Sequence, residues 1–298
     1  MGVSRSIART PVEEELLSQP VCWREAAGLA RQSPLPGDNS RVALVGCGTS
    51  FHVAQAVAAW REAAGRGESD AFAASEMPVR RRYDVVVAVS RSGTTTEVLR
   101  LIEALPAGQE VLAITADAGS PVATAARRCV ALPFADEQAV VQTRFATSVL
   151  ALWRAHFGHD VEGLSRAAEG RLRAPLPDRL TSYRQFVFLG TGPGVGLAAE
   201  ACLKFREAAL AWAESYAAME FRHGPISLLD SHSLVWSLGE LPAGLADEVR
   251  ESGAALEVPA TDPMAELVRA QRAAVELGKS KGLDPSRPRR LARSVVLS

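Results

Sequence analysis

Glu200, Lys204 and Glu207 stand at i, i+4 and i+7, so on a helix the three share one face. Their neighbours Ala201, Cys202, Leu203, Phe205, Ala208, Ala209 and Leu210 are apolar. Charges on so apolar a helix either line a thin exposed stripe or are held in a pocket. The helical run then gives way to Met219-Glu220-Phe221-Arg222-His223-Gly224-Pro225, where Gly-Pro leaves His223 at a turn. A carboxylate, an ammonium and an imidazole in one short segment fit proton transfer on a small molecule. The same spacing fits a surface Glu–Lys pair and a turn histidine, and spacing alone leaves the two readings even.

Two further stretches could bind an anion. Arg41-Val42-Ala43-Leu44-Val45 reads as a buried strand running into Gly46-Cys47-Gly48-Thr49-Ser50, with helical sequence from Val53. Backbone N–H groups and the helix dipole then face whatever lies over the turn. Asp84 to Val89 is a second strand, running into Ser90-Arg91-Ser92-Gly93-Thr94-Thr95-Thr96 and a helix. A Ser/Thr-rich turn by itself is more often a helix cap than a ligand site. Two such turns on successive parallel strands, however, share the carboxyl edge where open α/β sheets bind ligands. The glycine spacing is not that of a dinucleotide fingerprint, and no P-loop lysine follows.

These residues need an α/β scaffold to hold them, and the expected fold is two α/β/α sandwiches with parallel sheets. Residues 1–40 form a helical amino-terminal segment. Thr10, Pro11 and Glu13 open its helix as a capping box, and Pro20 marks a kink or restart before Trp23. Residues 41–160 form the anion-binding domain, with further strands at Val111–Ala116 and Cys129–Leu132 and a last helix opened by Gln142-Thr143-Arg144. Residues 161–284, entered through a polar linker and a helix, form the second domain. Its strands are Phe186–Leu189, Ser233–Leu238 and Ala254–Val258. The turn after Leu238 lacks hydroxyls, so one half is expected to bind the anion while the other supplies the catalytic helix. Residues 285–298, basic then apolar, form a tail folded over the site.

A chain of 298 residues suits two domains. With 47% hydrophobic and 22% charged residues and a net charge of −1, it has an ordinary soluble composition and no basic footprint for nucleic acid; the arginines cluster only at Arg80-Arg81-Arg82 and near the carboxyl terminus. No stretch is long enough to span a membrane, and the amino terminus lacks a signal peptide's apolar region. MGVSRS fits the loose myristoylation pattern, without support from composition. Cys22, Cys47, Cys129 and Cys202 are scattered in apolar contexts, as buried reduced thiols of a cytoplasmic protein would be. No metal-ligand spacing occurs, and no cofactor is expected.

The chain resembles the tandem sugar-isomerase (SIS) domain proteins, most of all the isomerase half of glucosamine-6-phosphate synthase. The resemblance covers nearly the whole chain. Glu15-Leu16-Leu17-Ser18-Gln19-Pro20 matches E-I-x-x-Q-P, Cys47-Gly48-Thr49-Ser50 matches C-G-T-S, Ala74-Ser75-Glu76 matches A-S-E, and Ser90-Arg91-Ser92-Gly93 matches S-x-S-G. Glu200 to Pro225 matches E-x-x-x-K-x-x-E and A-E-x-Y-A-A-x-E-x-x-H-G-P, and Pro288 to Val295 matches P-R-N-L-A-K-S-V. The resemblance implies a sugar 6-phosphate held by Ser50, Ser90, Ser92 and Thr95, with Cys47, Gly48, Thr49, Arg91, Val140, Gln142 and Arg293 completing the binding site. It implies Glu207 as the base at C2, Lys204 and Glu200 as steering groups, and His223, from the neighbouring subunit of a homodimer, as ring opener.

Departures from the pattern bear on the reaction. Nothing in the sequence matches the glutamine-hydrolysing half, so ammonia from glutamine is not expected. Arg293 replaces the tail lysine, and a guanidinium neither shuttles protons nor forms imines. Gln142 replaces a serine, and Arg91 a glutamine. The expected activity is aldose–ketose isomerisation or deamination of an amino-sugar 6-phosphate. The alternatives are a lyase that eliminates the C3 oxygen of an N-acetylated sugar phosphate, and a non-catalytic phosphosugar sensor.

Overall fold

The structure is a computed structural model describing residues 9–297. The MGVSRS stretch therefore lies outside the described residues. Five strands, β1 (Val42–Gly46), β2 (Ser69–Ala73), β3 (Val85–Val89), β4 (Val111–Thr115) and β5 (Arg128–Ala131), form a parallel sheet ordered β2-β1-β3-β4-β5. Four more, β6 (Gln185–Gly190), β7 (Trp212–Ala217), β8 (Ser233–Leu238) and β9 (Ala255–Glu257), form a second parallel sheet ordered β7-β6-β8-β9. The central strands β1, β3, β4 and β8 are buried along their whole length. Unbroken apolar runs such as Val85-Val86-Val87-Ala88-Val89 are what a parallel sheet covered on both faces selects.

The helices are α1 (Pro11–Leu29), α2 (Thr49–Ala63), α3 (Thr96–Ala104), α4 (Pro121–Ala125), α5 (Arg144–His156), α6 (Val161–Arg173), α7 (Gly194–Ala209), α8 (Leu245–Glu251) and α9 (Pro263–Ser280). The Glu13 carboxylate accepts the Thr10 N–H at 2.8 Å, closing the expected capping box. α1 continues through Pro20 with no restart, and its Trp23 is fully buried. The helix expected at the entry to the second half is α6.

One apolar cluster runs through both sheets, from Val42 and Leu112 to Phe186, Trp236 and α9. The sheets thus share a core across α2 and α7. Gly196 permits that crossing: a Cβ there would lie 2.6 Å from the Ala56 nitrogen on α2. Gly46 similarly lets β1 end against the first turn of α2, where a Cβ would meet the Ser50 backbone at 2.6 Å.

Two expectations need correction. The alanine-rich run after Leu210 is not helical to Ala218. Leu210 takes a left-handed conformation (φ 48°) that caps α7, and β7 follows as an edge strand in register with β6. Trp212, Glu214 and Tyr216 alternate with small residues there, a period of two inside a helix-favouring composition. β2, a short edge strand with every residue half-buried, was likewise not apparent in the sequence.

Candidate active site

The site lies where the first sheet reverses strand order. β1 has β2 on one side and β3 on the other, so the turns leaving β1 and β3 flank a crevice at the carboxyl edge. Gly48, with φ 54°, caps α2 and puts Thr49 and Ser50 in that helix's first turn, earlier than expected from the apolar pattern. Thr95 caps α3.

α7 crosses α2 and brings its charged face to the amino-terminal end of α2. Lys204 is 1% exposed; its Nζ donates to Thr49 Oγ1 at 2.9 Å and to Glu207 Oε2 at 2.6 Å, and lies 3.5 Å from a Glu200 oxygen. The three charges are therefore held in a pocket, which resolves the open question of spacing. Burial opposes the charge on Lys204, but the two carboxylates outweigh it and raise its pKa. Glu200 is buried, and neither of its oxygens has a hydrogen-bond partner among the described residues. Desolvation pushes its carboxyl up to about 7, against the pull of Lys204. Glu207, by contrast, keeps 20% of its side chain exposed and faces a cavity.

That cavity, about 160 Å³, is lined by Cys47, Gly48, Thr49, Thr95, Val140, Gln142 and Glu207, and by Leu291 to Val295 of the tail. Gln142 contributes a buried amide oxygen with no hydrogen-bond partner among the described residues. Ser50 and Ser90 are buried beside the cavity rather than in its wall; the Ser90 hydroxyl accepts the Gly93 N–H at 3.2 Å and lies 3.4 Å from the Thr95 hydroxyl. Ser92 lines a neighbouring chamber of about 500 Å³ with Thr94, Asp117, Asp136, Arg293 and Ser294. The tail separates the two spaces. Its Val295 carbonyl accepts the Thr96 N–H at 3.1 Å, and the Thr94 hydroxyl donates to Ser294 at 2.9 Å.

Arg91 and His223 lie outside this cavity. Arg91 is buried behind the wall, donating to the Ala139 and Arg293 carbonyls at 2.8 Å each. His223 is exposed on a 3-10 turn beyond the edge strand β7. The Arg293 guanidinium bonds the Glu137 carbonyl and the Asp136 carboxylate.

Sequence reasoning missed the residues that hold the wall. Glu137 is buried, and its Oε1 accepts from the Thr143 hydroxyl at 3.0 Å and the Arg144 N–H at 2.8 Å. Glu15, from the E-I-x-x-Q-P motif, accepts the Gln138 and Ala139 N–H groups. Burial and the neighbouring Glu137 push its carboxyl up to about 7. His52, one turn beyond Thr49, bonds Gln55 at 3.0 Å, and burial lowers its pKa. Among the described residues no group of three His, Cys, Asp or Glu is placed to hold a metal ion, the four cysteines are free, and no helix is long and apolar enough to cross a membrane.

Residues 38–155 match the SIS domain family model. The chain is 28% identical to glutamine–fructose-6-phosphate aminotransferase (isomerizing) from Zymomonas mobilis over 86% of its length and 52% of the relative's, and the Streptomyces coelicolor enzyme gives the same figures. The chain thus spans about half the length of the curated relatives it matches. Among solved structures, glucosamine-6-phosphate deaminase from Thermotoga maritima superposes with a TM-score of 0.84 at 23% identity, covering 97% of this chain and all of that one. Tagatose-6-phosphate ketose/aldose isomerase from Escherichia coli gives a TM-score of 0.76 at 20% identity, covering 97% of this chain and 96% of that one. Residues 38–155 therefore form a SIS domain, built on the five-stranded sheet, in a chain that shares its overall fold with these structures.

Proposed function

We propose that the protein is an enzyme acting on an amino-sugar 6-phosphate by proton abstraction at C2, giving aldose–ketose isomerisation or deamination. The observation that carries this reading is the Thr49–Lys204–Glu207 chain, whose Thr49 and Glu207 line a small cavity. A C2 proton becomes acidic only beside a carbonyl or iminium, so the reaction needs a positioned carboxylate and a cation near the developing oxyanion. Glu207 takes the proton, the electron pair forms the C1–C2 double bond, and O1 carries the charge. Return of the proton to C1, with a second proton to O1, leaves an imine at C2, which water hydrolyses to the ketose with release of ammonia. Lys204 stays charged and orients Glu207, while Thr49 fixes the ammonium.

The phosphate would lie over the β3–α3 turn, where Thr95 and the amino end of α3 provide donors. Its binding energy, remote from the reacting carbons, serves to position them. His223 would enter the site from a second subunit, and the second sheet would be a second SIS-type unit.

A second reading is elimination of the C3 oxygen from an N-acetylated sugar phosphate. The unpartnered Gln142 oxygen favours it, because an acetamido N–H would satisfy that acceptor. Proton NMR of the protein with glucosamine 6-phosphate and with its N-acetyl form separates the readings. A ketose together with ammonia from the free amine supports isomerisation with deamination; a vinylic proton from the acetylated sugar supports elimination. Thermal stabilisation by either sugar without turnover would leave a sensor and overturn both.

A further inference from the structure

Two of the residues that depart from the family pattern, Arg91 and Arg293, meet each other. Arg91 sits in the β3–α3 turn with its side chain fully buried. One terminal nitrogen donates to the Ala139 carbonyl and the other to the Arg293 carbonyl, both at 2.8 Å. The Glu137 carboxylate lies 3.7 Å away. Arg293 returns the contact: its guanidinium bonds the Glu137 carbonyl and the Asp136 carboxylate. Each arginine thus ties the tail to the segment 136–140, and both of those segments wall the Glu207 cavity.

We infer that Arg91 and Arg293 are positioning residues, a reciprocal latch that holds the tail shut against the 136–140 loop, and that the Arg293 guanidinium does not act on substrate. If the tail lifted, Arg91 would lose an acceptor inside the protein, where water replaces it poorly, and a buried donor without an acceptor is costly. Glu137 Oε2 has no hydrogen-bond partner among the described residues and depends on Arg91 for compensation. The loop is braced from behind by Glu15, so the tail closes on a fixed wall. A lysine at 293 could not reproduce the two-nitrogen contact to 136 and 137, since its charge is a single point on a flexible stem.

The latch has a readout that needs no activity. Arg290, exposed and in a left-handed conformation just before the latched residues, offers a trypsin site that the variants leave unchanged. Release of the tail is followed by mass spectrometry from the new carboxyl terminus at Arg290, which does not depend on the Arg293 site inside the tail, in wild type, Arg91→Gln, Arg293→Ala and the double variant. The latch requires at least a tenfold faster release in each single variant. It also requires no further gain in the double variant, because breaking either half frees the same tail. Unchanged release in Arg293→Ala, which is partly exposed and so tests the latch even where Arg91→Gln fails to fold, overturns the inference. So does a double-variant effect equal to the product of the singles. The kinetic consequence rests on the proposed function: both variants should raise KM for the sugar phosphate about tenfold, with kcat within about twofold of wild type. A large fall in kcat for Arg293→Ala with the tail still protected would make Arg293 a catalytic residue instead. Faster release without turnover of any sugar phosphate would uphold the latch and fail the reaction.

Discussion

The two sheets begin with the same strand order and make different use of it. In each, the first strand has its second on one side and its third on the other, β2-β1-β3 and β7-β6-β8. In the first sheet the turns after β1 and β3 carry hydroxyls and open helices α2 and α3, so helix amino termini face the cavity. In the second, the equivalent turns are Thr191-Gly192-Pro193 and Gly239-Glu240, and the Thr191 hydroxyl is spent on the Glu240 carbonyl at 3.2 Å. The second sheet contributes through α7, whose middle and last turns carry Glu200, Lys204 and Glu207. Two sheets that share a strand order thus meet at one candidate site, with hydroxyl-bearing turns from one and a charged helix face from the other.

Breaking the charged face should have the largest effect. Glu207→Gln keeps the shape and removes the base, so kcat should fall on the order of a thousandfold, while sugar-phosphate binding by calorimetry stays within about threefold. Next is Lys204→Met, which strands Glu200 in an apolar site. Urea unfolding should show a loss of about 3 kcal/mol, the usual cost of removing one partner of a buried ion pair. Thr49→Val tests the contact between the two units: loss of one hydrogen bond to a charged group should lower kcat/KM about tenfold. Thr191→Val, the matching turn in the second unit, should leave kcat/KM unchanged, and an equal effect at both threonines would erase the distinction between the sheets.

The smallest signal comes from pH. The fold raises the Glu200 pKa to about 7, above its ordinary 4.5, so native protein holds a proton that unfolded protein has released. That contribution is complete below 4.5 and is lost as pH rises through 7. Glu200→Gln has no proton to lose. Its melting temperature relative to wild type should therefore increase between pH 5.5 and pH 8, and a constant difference would show that Glu200 does not titrate in this window.

Much of this site could be read from the chain itself. The helical face of Glu200, Lys204 and Glu207, and the strand–turn–helix order at Gly46 and Ser90, are local patterns, and local patterns survive folding. What escaped was set by distance in sequence. Whether the three charges faced solvent or a pocket depended on the crossing of α7 over α2, more than 140 residues earlier in the chain. The end of α7 was hidden because alanine-rich sequence favours a helix, whereas β7 is held by its register with β6. Arg91 and Arg293 were noticed as departures, but a contact between residues 202 positions apart leaves no trace in spacing.

The central claim is that Glu207 removes the C2 proton of a sugar phosphate. It is tested most directly by following the C2 proton of glucosamine 6-phosphate in D2O, with wild-type protein and with Glu207→Gln. The account predicts loss of the C2 signal by deuterium exchange, or its transfer into product, with wild type, and a signal persisting on the order of a thousand times longer with the variant. Equal rates of exchange in the two proteins would contradict it.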